Sequence, residues 1–189
     1  MRKLIVKTVA FSLGVLIALV SLFYLVLMTA SPSTLGDFHF RTGSEKLAIK
    51  YSEKAYEKSN DIGDLAVLVE RSIVFKEHAS VKKYGFELIN AKGYGEFVQT
   101  KGVGYNYYMV GSIAKSIYIL GEKNTAIDLA FNSTADYTEL NPIRVLISTM
   151  LEAEDKTALS IVVTKLEARE SKNQLCLNDI SYLRDYLIP

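Results

Sequence analysis

The sequence predicts an all-α fold, on three observations. An uncharged apolar run near the front is long enough to be a single helix. Apolar and small residues then recur at helical spacing through the rest of the chain, divided by short polar turns. Strand-like alternation is scarce and there are only three prolines, Pro32, Pro142 and Pro189.

The first element is the run from Thr8 to Ala30, TVAFSLGVLIALVSLFYLVLMTA, 23 residues without a charge. As a helix it would extend about 34 Å, enough for a hydrocarbon core of about 30 Å. A cleavable signal peptide usually has an apolar region of only about 7–15 residues. Met28-Thr29-Ala30 is a poor small-x-small cleavage site, and no cysteine follows for a lipid anchor. An uncleaved anchor is therefore expected, with a cleaved signal and a buried soluble helix as the alternatives. Arg2, Lys3 and Lys7 are the only charges besides Asp37 among the first 40 residues. By the positive-inside rule they keep the stub cytoplasmic and place everything after Ser31 outside. The expected location is a bacterial cytoplasmic membrane, crossed once, with residues 1–30 as stub and anchor and 31–189 as an extracytoplasmic domain.

Pro32 fits the first position of a helix capped by Ser31, so the junction between span and domain is short. Beyond it, Leu35, Ala48, Tyr51 and Ala55 open a pattern that recurs. A shift of 33 residues reaches Leu68, Val81, Tyr84 and Leu88. A further 45 reaches Ile113, Ala126, Leu129 and Ser133, and another 33 reaches Leu146, Leu159, Val162 and Leu166. Of the sixteen, only Ser133 is not apolar, and it is small. Periods of 20–50 residues signal stacked supersecondary units. Each unit is predicted to be a helix, a polar turn and a second helix, with turns at RTGSEK, FKEHAS, LGEKNT and EAEDKT. The spacing of 45 carries a 12-residue excess, which falls in AKGYGEFVQTKGVG and is expected to be a glycine-rich loop. Gly36, Gly43, Ala48 and Ala55 let antiparallel helices approach closely; leucine at Gly36 or Ala48 would overpack the crossing, costing about 1–3 kcal/mol. The tail LCLNDISYLRDYLIP places Cys176, Ile180, Leu183 and Leu187 on one face of a capping helix.

Leu35-Gly36, Gly43, Ala48 and Ala55, with Tyr51 and Tyr56 between them, resemble the tetratricopeptide family of helix–turn–helix repeats. The resemblance covers roughly residues 31–170. The first unit carries it most specifically, the third keeps Gly121 and Ala126, and the 12-residue excess departs from it. It implies a right-handed superhelix of about four hairpins whose first helices line a concave peptide-binding groove. Carried over by position, that groove would include Asp37, Arg41, Glu70, Tyr108, Lys115, Tyr118, Arg144 and Ser148. The basic-and-asparagine pattern with which some members grip a terminal carboxylate is absent from these positions.

Charge narrows the function classes. There are 22 basic and 21 acidic residues; without the three basic residues of the stub, 19 face 21. A mildly acidic remainder argues against nucleic acid, which usually demands a basic stripe. A single cysteine excludes an internal disulfide framework and a cysteine-based zinc site. Cys176 reads as a small core residue. His39, beside Phe38 and Phe40, and His78, in a polar turn, read as structural rather than as a metal pair. There is no Gly-x-Ser-x-Gly elbow, and the glycines of KGYGEF and KGVGYN lack the Gly-Lys-Ser/Thr of a phosphate loop. Glu139, Glu152, Glu154 and Asp155 read as solvated turn and helix-terminus charges. Asn132-Ser133-Thr134 fits a glycosylation acceptor formally, a pattern that matters only in a secretory pathway. No catalytic residue, cofactor or metal is expected.

Tyr105, Tyr107, Tyr108 and Tyr118 exceed what a small core needs. Three alternatives stand: core packing with hydroxyl-to-turn hydrogen bonds, a contact surface, or a membrane-facing rim. The function expected is a membrane-anchored, non-enzymatic module binding a protein or peptide partner in the groove. A scaffold subunit using its outer face, and an enzyme whose site has no motif, are the alternatives.

Overall fold

A computed structural model describes residues 2–133, 137–138 and 141–188, with nothing stated of the side chains of 2–8 and 103. The described residues form eleven helices and no strand. They are α1 Arg2–Ala30, α2 Pro32–Arg41, α3 Glu45–Ser59, α4 Ile62–Val74, α5 His78–Ile89, α6 Tyr94–Lys101, α7 Val103–Ile119, α8 Lys123–Asn132, α9 Pro142–Glu152, α10 Lys156–Glu167 and α11 Gln174–Leu187. The chain divides into two compact units, Met1–Arg71 and Ser72–Pro189.

The first unit holds α1, α2, α3 and most of α4. Val9–Ala30 of α1 is long and apolar enough to cross a membrane, by length and composition. Ser31 stands at the N-cap of α2, but its side chain makes no capping bond, which corrects the expectation; Pro32 at the first turn sets the backbone there. The α2–α3 hairpin buries Leu35, Ala48, Tyr51 and Ala55. Gly36 has a more specific task than a close helix crossing. A Cβ there would stand 2.5 Å from Nη1 of Arg71 and 3.3 Å from Oγ of Ser52. The glycine thus leaves room for a buried guanidinium, which donates to Ser52 Oγ (2.6 Å) and pairs with Asp37.

The second unit is built around α7, which packs on α5, α6, α8 and α9; α9 also packs on α8 and α10, and α11 on α10. Its core joins Val81, Ile113, Ile117, Ala126, Leu146, Met150, Leu159, Val162 and Leu166 to Cys176, Ile180 and Leu183 of α11. Three of the four residues of the expected apolar face of the last helix are thus buried, Leu187 being half-buried against the same core, and burial pushes the Cys176 thiol up. Gly85 of α5 allows close approach to α7, since a Cβ there would meet Ile113 at 2.6 Å.

The turns carry the recurrence at the level of the backbone. Gly43, Lys76, Gly121 and Glu154 occupy the left-handed region, with φ of 72°, 57°, 89° and 52°. Their N–H groups donate to the carbonyls of Phe40, Ile73, Tyr118 and Leu151 at 3.2, 3.1, 2.9 and 3.1 Å. The next N–H groups, of Ser44, Glu77, Glu122 and Asp155, donate to His39, Ser72, Ile117 and Met150 at 2.8, 2.9, 3.1 and 2.9 Å. This is a Schellman closure made four times, at the spacings of 33, 45 and 33 read from the side chains. All sixteen pattern positions are buried except Leu129 and Ser133, which are half-buried.

The 12-residue excess is not a loop. It holds α6, bounded by Gly93 (φ 92°) and Gly102 (φ 94°). The glycines mark the ends of a helix, and Tyr94-Gly-Glu-Phe-Val-Gln-Thr-Lys between them closes two turns. Tyr94 donates to Asn106 Oδ1 (3.0 Å), and Phe97 meets Tyr105 edge-on at 5.8 Å, which fixes α6 to α7. Burial raises the Tyr94 hydroxyl to about 12. Glu139 and Thr134, the latter completing the glycosylation pattern, lie outside the described residues.

Candidate functional site

A cavity of the second unit, about 630 Å³, opens between the start of α5 and one face of α7. Its walls follow from helical spacing. Tyr108, Ser112, Lys115 and Ile119 rise along α7 at steps of three and four, and Tyr107 flanks them. Lys76 and His78 come from the turn before α5 and its first residue, Ile73 from the end of α4, and Val145 from α9. Tyr108 is 47% exposed and Ile119 46%, so an aromatic and an aliphatic group stand open to solvent beside lysine ammonium groups.

His78 Nδ1 lies 3.1 Å from Ser116 Oγ. Burial, then the adjacent Lys115, lowers the imidazole pKa; Glu77 opposes this and Lys76 adds to it. At neutral pH His78 is a neutral polar group, and the charge of the wall comes from Lys76 and Lys115. The lining therefore offers aromatic faces, hydroxyls and cations. That set suits an acidic group carried beside an apolar one.

Of the residues carried over from the repeat resemblance, Tyr108 and Lys115 share this cavity. Lys115 also borders a shallower depression that Tyr118 lines. Tyr118 itself is buried, and its hydroxyl donates to Asp155 Oδ2 (2.7 Å). Lys123 Nζ stands 2.6 Å from the same oxygen, and Asp155 Oδ1 accepts from Ala158 N (3.1 Å). The hydrogen bonds from Lys123 and Tyr118 hold the Asp155 carboxyl down to about 2, and burial with the Asp155 bond raises Tyr118 to about 12. Asp155 thus caps α10 and joins it to α7, whereas Glu152 and Glu154 are the exposed charges expected.

Arg144 and Ser148 line a third depression with Asp179 and Tyr182. Arg144 Nε pairs with Asp179 Oδ2 (2.9 Å), and Tyr137 donates to the same oxygen (2.8 Å), so Arg144 fastens α11 to α9. In the first unit, Asp37 is paired with Arg71, Arg41 is exposed, and Glu70 is half-buried on α4. The tyrosines of the cluster occupy different surroundings. Tyr118 bonds to a turn, Tyr105 packs on Phe97, and Tyr107 and Tyr108 face the cavity.

Lys76, His78, Tyr107, Ser112 and Val145 were absent from the carried-over set. Lys76 could have been found from the repeat itself, since it occupies the register of Gly43 and Gly121. Tyr107 was visible in the aromatic cluster but not at a groove position. Compared with known proteins, the chain matches no family model, no curated protein and no solved structure.

Proposed function

We propose that this chain is a membrane-anchored, tetratricopeptide-like interaction module, acting by binding rather than catalysis. Its partner is a peptide segment of another protein with an acidic side chain next to an apolar one. The observation that carries the reading is the cavity where Tyr107, Tyr108 and Ile119 stand beside Lys76 and Lys115. Aromatic groups supply contact area with little loss of rotamer freedom, and the lysines supply charge that selects the acidic residue. The four identical turn closures support hairpin units of the tetratricopeptide kind. The apolar α1 supports a single-pass anchor, with the domain on the extracytoplasmic side of a bacterial membrane.

The test is binding of fluorescent peptides with alternating acidic and aromatic residues to the full chain in nanodiscs. Lys115→Glu should weaken binding about tenfold or more, equivalent to about 1.4 kcal/mol, and Tyr108→Ala should do likewise, both with unchanged helix content. Binding that survives both substitutions would sink the groove reading. Arg144 is unsuitable for this purpose, because reversing it would break the pair with Asp179.

A second reading, a scaffold subunit that docks by its outer face, is favoured by Leu177 and Tyr182 of α11, 45% and 58% exposed. Under it, Leu177→Asp would disrupt assembly with a membrane partner and Lys115→Glu would not.

A further inference from the structure

The α2–α3 hairpin lies alongside the last turns of α1. The Tyr24 hydroxyl is 3.2 Å from His39 Nε2 of α2 and shares a 2.9 Å hydrogen bond with the hydroxyl of Tyr51 of α3. Lys58, at the far end of α3, donates to the carbonyls of Thr29 and Ala30, at 3.2 and 2.8 Å. Tyr51 therefore pairs with Tyr24 in height, and Lys58 with the end of α1, so α3 runs in the same direction as α1. The tip of the hairpin, Thr42–Ser44, consequently points back toward the membrane end of α1. At 1.5 Å per residue, Lys46 lies about 7 Å below the level of Tyr24.

That register restricts where the hydrocarbon can end. If all of Val9–Ala30 lay in acyl chains, the neighbouring Asp37, Lys50, Glu53 and Lys54 would lie there too, where charged groups are strongly disfavoured. Counted from Leu4, beyond Arg2 and Lys3, the helix reaches Leu22 in about 27 Å, close to a hydrocarbon thickness. A lysine one turn inside that boundary, as Lys7 is, lies within snorkelling reach of the headgroups. The last two turns of α1 then cross the headgroup layer together with the hairpin beside them.

The tip has the composition for that layer. Phe38, Phe40 and Leu47 are exposed, at 56%, 36% and 38%. Around them stand the exposed bases Arg41, Lys46 and Lys50, against the single acid Glu45. Toward the other end of α3 and the start of α4 the charges are mixed, Glu53, Glu57, Asp61 and Asp64 with Lys54 and Lys58, so the net positive charge lies at the tip. Apolar rings sink to the acyl boundary while lysine and arginine reach phosphates, the arrangement of interfacial anchors.

We propose that the α2–α3 hairpin is a second membrane contact, docked tip-first in an anionic lipid headgroup layer through Phe38, Phe40, Leu47, Arg41, Lys46 and Lys50. It rests on reading α1 as a membrane span. It makes the membrane surface a ligand of the first unit and fixes the height at which the unit stands.

The chain has no tryptophan, so single tryptophans report cleanly. Full-length Phe38→Trp and Leu47→Trp are placed in vesicles of phosphatidylcholine and phosphatidylglycerol brominated at the upper acyl carbons, beside Phe11→Trp in α1 and Tyr182→Trp in α11. The tip probes should be quenched about threefold or more above Tyr182→Trp, as interfacial depth requires. Adding Arg41→Glu and Lys46→Glu should remove about half of that quenching, through lost attraction to anionic lipid, while Phe11→Trp is unchanged. Tip probes as unquenched as Tyr182→Trp, with Phe11→Trp quenched, would overturn the docking and leave the span intact. An unquenched Phe11→Trp would overturn the span and the docking with it. Tip probes that are blue-shifted, unquenched and cross-linked between copies would show a second chain covering the tip, and would also overturn it.

Discussion

Glu154 holds a left-handed backbone, φ 52°, at the position where Gly43 and Gly121 close the equivalent turns. An L-residue with a side chain is disfavoured there by about 1–2 kcal/mol, partly offset because glycine loosens the unfolded chain. Glu154 is exposed and makes no side-chain bond among those described, so Glu154→Gly should stabilise the protein by about 0.5–1 kcal/mol in urea unfolding. An unchanged or lowered midpoint would mean that the closure is not strained. The same comparison shows what could be read at the residue scale. Gly43 and Gly121 announced their turns. Lys76 and Glu154 did not, because the two backbone bonds of the closure hold the conformation without requiring the residue type that favours it.

At the scale of elements, the Tyr118–Asp155–Lys123 cluster ties α10 to α7 and to the first residue of α8. Asp155 ordinarily ionises at 3.8 and is held to about 2 in the fold. A carboxyl lowered on folding adds stability that is present above its unfolded value and disappears as pH falls through its folded value. The contribution should therefore be full above about pH 4 and fade between about 4 and 2. Asp155→Asn should remove about 1–2 kcal/mol at pH 7, allowing for water on the lysine side, and only about 0.4 kcal/mol or less at pH 2, where the folded carboxyl is half protonated. Urea unfolding of both proteins at the two pH values checks it; an equal difference at both would assign the loss to packing. Helix boundaries were legible in the sequence because polar turns at RTGSEK, FKEHAS, LGEKNT and EAEDKT interrupt apolar periodicity. Helix α6 was not, since glycines at Gly93, Gly95, Gly102 and Gly104 resemble a loop when only composition is weighed. The role of Asp155 was hidden as well, because its partners are 37 and 32 residues away on other helices.

At the scale of the whole molecule, the apolar run and the helical class were readable because length and composition decide both. The cavity of the second unit was readable only in part. A position-by-position transfer places residues along one face of a helix, and two of them, Tyr108 and Lys115, line the same cavity. It cannot tell which of them already have partners inside the fold, as Arg144 and Tyr118 have. Under the proposed function, in which the cavity is a peptide-binding groove and α1 an anchor, coupling the two is a matter of concentration. A partner on the same membrane meets the groove at an effective concentration set by its tether, which reaches the millimolar range for short flexible links. An acidic-aromatic peptide joined to a lipid through a flexible linker should therefore bind the full chain on the same vesicle about 10²-fold or more tightly than the free peptide does. Lys115→Glu should weaken both forms by the same factor, since the tether adds no contact of its own. If tethering gives no gain at any linker length, the groove cannot be reached from its own bilayer, and a soluble partner would replace a membrane-bound one.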